Sequence, residues 1–185
     1  MYKYSTNFFG KVPALTFHQF KGMESVITCY NNPSLETMPL LKEVYGINML
    51  ITTIKHNYQI YLANLKCKEA DIKYNNFLIN TTNKVLDKTV DINLVISQIK
   101  EIFNIIKNEK ISLMINSASG VFSGSILAYC LLRMSGENRV DALSILTNLR
   151  LEQNCRLGEY RYEFAENKLV KKLIEPELIT IKNKE

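Results

Sequence analysis

The residues best placed to do chemistry form a glycine- and serine-rich loop between two apolar segments. The loop, NSASGVFSG, covers residues 116–124, and it follows the apolar run ISLMI. Successive backbone N–H groups in such a loop, at the start of a helix, form an anion-binding concavity. No Lys or Arg occurs between Lys110 and Arg133. An anion bound here would therefore be held by peptide amides and not by side-chain charge.

Two common motifs of this kind do not fit the loop. A Walker-type phosphate loop needs G-x-x-x-x-G-K-S/T, but Gly120 and Gly124 are too close together and no Lys follows them. The nucleophile elbow G-x-S-x-G is also missing, because no Ser in the loop has a Gly two residues before and two after it. The loop could also simply connect a strand to a helix, with Ser123 or Ser125 as the helix cap and Phe122 filling the pocket.

The elements around the loop alternate between strand and helix patterns. Apolar, β-rich runs predict strands at residues 26–30, 47–54, 72–79 and 111–115, of which 47–54 and 111–115 would be buried. Apolar spacing and capping residues predict helices at about 34–45, 91–107, 123–136, 138–150 and 159–173. Gly46 would end the first helix in the left-handed conformation, and NTTNKVLDKTVD would be a loop. This alternation predicts a layered α/β domain.

The same loop resembles the signature of cysteine-dependent tyrosine and dual-specificity phosphatases, H-C-x-x-G-x-x-R-S/T, which lies between a central strand and a helix. Residues 116–124 fall on it in register, with Gly120 at the motif glycine. Upstream, NNPSLETMPLLKEVYGINMLITT is similar to the family's P-S-L-E…L-K…G-I region, and downstream SILAYCLLRMSGENRVDALSILTNLR is similar to its two following helices. The resemblance covers roughly residues 12–150. It implies a central mixed sheet of about four to five strands flanked by helices.

Three chemically essential positions of that signature are replaced. Asn116 stands where the family has histidine, Ser117 where it has the nucleophilic cysteine, and Ser123 where it has the phosphate-binding arginine. A thiol can be ionised near neutral pH by a helix N-terminus and a neighbouring cation, whereas a serine needs an adjacent general base. A single Cys-to-Ser change is also the usual laboratory trap for a substrate, but it would not explain Asn116 and Ser123. The resemblance therefore implies a catalytically inactive member, or pseudophosphatase.

Two further roles follow from the resemblance. The family's general acid is an Asp about 30 residues before the cysteine, and Asp87 is the candidate here, while Asn80, Thr81 or Thr82 occupies the position directly after the strand. The backbone of the loop would still bind phosphate weakly. The candidate phosphate-binding residues are Ser117, Ala118, Ser119, Gly120, Val121, Phe122 and Ser123.

Composition limits the remaining possibilities. The 185 residues, 46% hydrophobic and 22% charged, are typical of a globular protein. We expect a single domain over residues 1–185, with its core at about 12–173 and a short basic tail at 174–185. No apolar run is long enough for a membrane span, and no signal peptide is evident, so we expect an intracellular and cytoplasmic protein, with the nucleus left open.

The metal-binding and redox classes have little support. The four cysteines have no C-x-x-C pair, and the two histidines, His18 and His56, are far apart and more typical of surface or hydrogen-bonded side chains than of ligands. We expect no metal and no cofactor. The net charge of +5 permits an acidic or phosphorylated partner. Basic residues cluster only near the C-terminus, at Lys168, Lys171, Lys172, Lys182 and Lys184.

These observations leave three functional interpretations. The first is a pseudophosphatase that binds or scaffolds a protein partner, either a phosphorylated protein or an active phosphatase relative. The second is residual or altered phosphatase activity toward a phosphoprotein, a nucleotide or an RNA 5′-phosphate. The third is a nucleic-acid adaptor that uses the C-terminal lysines, although the expected interleaved aromatic residues are missing. The oligomeric state and the identity of the partner stay open.

Overall fold

A mixed β-sheet forms the centre of the molecule. The computed structural model describes residues 2–3, 15–30, 37–79, 81–82, 85–86, 90–116, 121–150 and 159–174. The strands are β1 (Tyr2–Lys3), β2 (Thr16–Gln19), β3 (Val26–Tyr30), β4 (Met49–Thr52), β5 (Lys73–Asn76), β6 (Thr81–Thr82), β7 (Val85–Leu86) and β8 (Ser112–Asn116). The main sheet has the order β1-β2-β3-β8-β4-β5. Strands β3, β8, β4 and β5 are parallel, whereas β2 is antiparallel to β3 and β1 to β2. The predicted mixed α/β sheet is confirmed.

The central strand β8 is buried on both faces. Successive side chains of a strand point to opposite faces, and Leu113 and Ile115 belong to one apolar cluster while Met114 belongs to another. All three are at most 1% exposed. A parallel strand covered on both faces reads as a continuous apolar run, which is why ISLMI predicted this strand correctly.

Within the described ranges, six α-helices accompany the sheet. They are α1 (Met38–Tyr45), α2 (Asn57–Glu69), α3 (Ile92–Asn108), α4 (Val121–Met134), α5 (Arg139–Arg150) and α6 (Glu159–Phe164), and α6 continues as the π-helical segment Ala165–Val170 and a last helical turn at 171–174. The five predicted helices are all present. The α-helical part of α1 begins at Met38, and the helix ends at Gly46 with a φ of 66°; the predicted start at residue 34 lies outside the described residues. Helix α3 begins at Asp91, whose carboxylate accepts hydrogen bonds from the N–H groups of Asn93 and Leu94.

Several elements of the structure, the short β1 among them, were not predicted. Strand β2 lies in a segment without a clear pattern, and the segment predicted as a loop contains β6 and β7, which pair as a separate two-stranded sheet. Helix α2 has apolar residues on both faces. Its Ala63 and Cys67 are buried, whereas Tyr58 and Tyr61 are 71% and 62% exposed.

The start of β3 is joined to the end of α3 by one side chain. The Ser25 hydroxyl lies 2.8 Å from both the Ile106 and the Glu109 carbonyl oxygens, and it accepts a hydrogen bond from the Ile111 N–H group at 2.9 Å. Ser25 is fully buried. This contact fixes the segment that leads into β8, and so it positions the strand that carries the candidate site.

Two properties of the described residues bear on the functional classes. None of the helices in the described ranges has the length and apolar character that a membrane crossing requires. Within the same ranges, no three His, Cys, Asp or Glu side chains come together as a metal site. The single-domain organisation and the basic tail stay predictions, and residues 175–185 lie outside the described part of the chain.

Candidate functional site

The candidate site lies where the parallel strands of the sheet end. Tyr30 of β3 and Thr52 of β4 are both in register with Asn116, the last residue of β8. Ligands of open α/β sheets bind outside the carboxyl ends of the strands. Asn116 is 6% exposed and Thr52 is 1% exposed. The position that carries histidine in the phosphatase signature is therefore a buried, neutral amide at the middle of this edge.

Helix α4 begins directly after the loop that follows β8. Its first helical residue is Val121, two residues earlier than predicted. The first N–H groups of a helix have no intrahelical partner and favour an anion. Residues 117–120, and the side chains of Val121 and Phe122, lie outside the described part of the chain. The phosphate-binding role of residues 117–123 therefore stays a prediction.

Ser123, at the arginine position of the signature, is joined to a distant segment of backbone. The Ile79 N–H group donates a hydrogen bond to the Ser123 hydroxyl at 3.1 Å, and that hydroxyl lies 3.4 Å from the Ile79 carbonyl oxygen. Ser123 is 4% exposed and Ile79 is 1% exposed. The hydroxyl thus fastens the first turn of α4 to the chain beyond β5, and it supplies no positive charge.

A neutral hydrogen-bond network occupies the neighbouring end of β4 and β5. The Thr52 hydroxyl lies 2.8 Å from the Tyr74 hydroxyl and 2.7 Å from the Asn76 side-chain oxygen. The Asn76 amide also accepts from the Ile54 N–H group at 2.9 Å and donates to the Ile54 carbonyl at 3.0 Å. Burial raises the pKa of Tyr74 and outweighs the opposing hydrogen bond to Thr52. These groups are satisfied among themselves and hold the edge rigid.

The predicted general acid cannot be placed from the structure. Asp87 directly follows β7 in the sequence, but it lies outside the described residues, as does Asn80. The role of Asp87 as a relic acid therefore stays a prediction.

A half-buried charged cluster joins α4 to the π-helical segment, away from the loop, and sequence reasoning missed it. The Tyr129 hydroxyl donates to a Glu166 carboxylate oxygen at 2.7 Å, and the Arg133 guanidinium binds both oxygens of that carboxylate, at 2.8 and 3.2 Å. Burial alone would raise the pKa of Glu166, but the hydrogen bonds from Arg133 and Tyr129 hold it below its usual range. Burial and the Glu166 hydrogen bond raise the pKa of Tyr129. The partners are more than 30 residues apart, so no local signal predicts the cluster.

None of the described cysteines has the properties of a nucleophile. Cys29, Cys67 and Cys130 are buried, and Cys155 lies outside the described residues. Burial raises the pKa of Cys67 to about 11 and also raises the pKa of Cys130. A catalytic cysteine needs the opposite shift.

The two histidines lie on different elements. His56 is exposed at the start of α2. His18 of β2 is half-buried, and its Nε2 atom is 3.9 Å from the Glu137 carboxylate. Burial lowers the pKa of His18, although Glu137 opposes this effect.

Comparison with known proteins assigns the fold. No family model matches the sequence, and no curated protein matches it. Among solved structures, the kinase-associated phosphatase with its catalytic cysteine changed to serine superposes with a TM-score of 0.61 at 17% identity, covering 82% of this chain and 89% of that one. The catalytic core of the PP-IP phosphatase SIW14 from S. cerevisiae superposes at 0.56 with 16% identity (91% and 92% covered), and Tk-PTP at 0.57 with 10% identity (84% and 96% covered). The chain has the fold of the tyrosine and dual-specificity phosphatases.

Proposed function

We propose that this chain is a phosphatase-like domain that binds a protein partner and does not hydrolyse phosphoesters. The observation that carries the proposal is the placement of Ser123. Its hydroxyl is buried and hydrogen-bonded to the Ile79 backbone at the position where the phosphatase signature has its arginine. A guanidinium there would grip two phosphoryl oxygens and stabilise the charge of the transition state. Serine supplies neither function.

The missing nucleophile supports the same proposal. Ser117 occupies the cysteine position of the signature, and its neighbour Asn116 cannot act as a general base. Each charge-assisted hydrogen bond lost with the arginine is worth about 1.5–3 kcal/mol, and each 1.4 kcal/mol corresponds to about a factor of ten in rate. Without nucleophile and guanidinium, turnover should fall to the background rate.

The partner is a protein, either one phosphorylated at the segment that it inserts into the loop or an active phosphatase relative. The first helical N–H groups of α4 would then hold the phosphate without side-chain charge. An intracellular location belongs to this proposal, because protein phosphorylation is an intracellular signal. A nucleic-acid partner has less support, since no aromatic residue is interleaved in the sequence with the exposed lysines at 168, 171 and 172.

Two measurements test the proposal. The purified chain should not hydrolyse p-nitrophenyl phosphate above a buffer blank, with an active phosphatase as the positive control. A fluorescein-labelled phosphotyrosine peptide should bind more tightly than its unphosphorylated form. Val121→Pro removes one N–H group at the first helical position, where proline is tolerated. We expect it to weaken phosphopeptide binding without unfolding the chain.

The outcomes separate the possibilities. Binding of the phosphopeptide that Val121→Pro reduces would support a phosphate-dependent role. Equal binding of both peptide forms would move the role to phosphate-independent scaffolding. Hydrolysis at an enzymatic rate that persists through purification would refute the proposal.

The second candidate function is a residual or altered phosphatase. Its support is the retained order of strand β8, loop and helix α4, together with Asp87 directly after β7. Substrates to assay are a phosphopeptide, a nucleotide, an RNA 5′-phosphate and, given the likeness to SIW14, an inositol pyrophosphate. Activity that Asp87→Ala abolishes would favour this function over the first.

A further inference from the structure

A basic groove lies at the opposite end of α4 from the loop. It has a volume of about 290 Å³, and it lies between α3, the end of α4 and the last helical turn at 171–174. Its lining residues are Lys100, Phe103, Asn104, Lys107, Arg133, Met134, Gly136, Leu173 and Ile174. Met134 is 13 residues from Val121, which is about 20 Å along the helix axis. The groove is therefore separate from the candidate phosphate loop.

The charges of the groove are unbalanced. Lys100 and Lys107 are exposed on its rim, and no ion pair between described residues involves either of them. No Asp or Glu belongs to the described residues that line it. The remaining cation, Arg133, is already paired with the Glu166 carboxylate at 2.8 Å. Two ammonium groups are thus left for an external anionic partner.

The arrangement of these residues is that of a single helix face. Positions 100, 103, 104 and 107 of α3 follow the i, i+3, i+4, i+7 pattern of one stripe. The two lysines are therefore about 10.5 Å apart along the axis. Between and beside them lie Phe103, Met134 and Leu173, which give the groove an apolar floor. A ligand that matches this groove therefore carries apolar side chains for the floor and two acidic groups for the lysines.

We propose that this groove docks an acidic amphipathic helix of a partner protein. Acidic residues two helical turns apart on the partner match the lysine spacing, and leucine-like side chains between them fill the apolar floor. Helix-in-groove recognition uses such i, i+3, i+4, i+7 anchors. A groove of about 290 Å³ has room for a few side chains and not for a whole helix, so the partner helix rests on the rim and inserts only its anchors. This surface extends the binding role proposed above, but it does not depend on the loop.

The proposal is tested with a designed probe on the full chain. The probe is a fluorescein-labelled, Ala-rich helical peptide with Glu at i and i+7 and Leu at i+3 and i+4, and its control has Gln in place of both Glu residues. The chain variant is Lys100→Glu with Lys107→Glu. Its matched control is Lys55→Glu with Lys68→Glu, because both of those lysines are also exposed and described. Fluorescence anisotropy gives the affinity, and circular dichroism confirms the fold.

We expect the groove variant to bind the probe about tenfold more weakly, because two exposed attractions become repulsions. The matched control should bind within about a factor of two of the unchanged chain. Equal losses in both variants, equal binding of the Gln peptide, or no binding of the probe would each overturn the proposal.

Two more variants test whether the groove is free and whether it acts independently of the loop. A chain shortened after Ile174 removes residues 175–185, which contain acidic and apolar side chains. If only the shortened chain binds the probe, the groove is occupied by the chain's own C-terminal segment and the proposal for a partner is wrong. Val121→Pro should leave probe binding unchanged, so failure at the loop and failure at the groove give different results.

Discussion

Removing the Ser123 hydroxyl tests whether the arginine position of the signature has acquired a structural role. In Ser123→Ala the buried Ile79 N–H group loses its acceptor at 3.1 Å. Leaving a buried donor unsatisfied costs about 1–3 kcal/mol. Alanine is also the better helix former, by up to about 0.5 kcal/mol. The expected net loss in the free energy of unfolding is therefore about 0.5–2.5 kcal/mol.

The assay is urea or thermal unfolding followed by circular dichroism. For a chain of this size, 1 kcal/mol corresponds to a shift of about 2–4 °C in Tm, so the variant should melt about 1–10 °C below the unchanged chain. The matched control is Ser144→Ala, an exposed serine in the helix α5. It gains the same helix propensity and loses no buried bond. If the two variants have equal stability within about 0.5 kcal/mol, Ser123 does not fasten α4 and the reasoning is refuted.

Three further substitutions or modifications probe other parts of the fold. Glu166→Gln should lower the free energy of unfolding by about 1.5–3 kcal/mol at neutral pH. Because the pKa of Glu166 is depressed in the folded chain, its contribution is present above the unfolded pKa of about 4.3 and is lost as the pH falls through the folded value. The difference between the two chains should therefore shrink in acid urea titrations, and a constant difference would contradict the Arg133 pairing. Gly46 has a φ of 66°, which a residue with a Cβ atom adopts only at a cost. Gly46→Ala should therefore lower the free energy of unfolding by about 1 kcal/mol in thermal melts, and Gly46→Asn should lower it by less. Cys67 is buried, and burial raises its pKa to about 11. Its thiol should therefore resist Ellman's reagent in the native chain at pH 8 and react in urea. Reaction of the native chain at the unfolded rate would show that the surroundings of Cys67 open to solvent.

The sequence predicted the elements whose signals are local. Helix α3 has a regular apolar stripe and begins at Asp91, which caps it, and both features lie within the helix itself. Helix α2 was missed because its outer face carries Tyr58 and Tyr61, so its apolar residues show no helical periodicity. Its flanking His56 makes no side-chain cap either.

The candidate site was predictable in position but not in its contacts. The resemblance placed the loop after the central strand, and β8 and α4 flank it as expected. The bond from Ser123 to Ile79 joins residues 44 apart in the sequence, and such a contact depends on how the helix packs against the chain beyond β5. The two rim lysines of the groove are equally inconspicuous in the sequence, because their surroundings come from α4 and the last helical turn.

The Ser25 hydroxyl has a consequence for how the chain folds. Helix α3 has no glycine at its end, and Glu109 there has an extended φ of −130°. Instead, the Ser25 hydroxyl lies 2.8 Å from the carbonyl of Ile106 in the last turn, 81 residues away, and from that of Glu109 just beyond it, 84 residues away, and it can donate to one of them at a time. An excised peptide of residues 91–110 should therefore fray over its last turn, even though its amino end is capped. In the intact chain, the amide protons of that turn should exchange only as fast as the sheet itself opens.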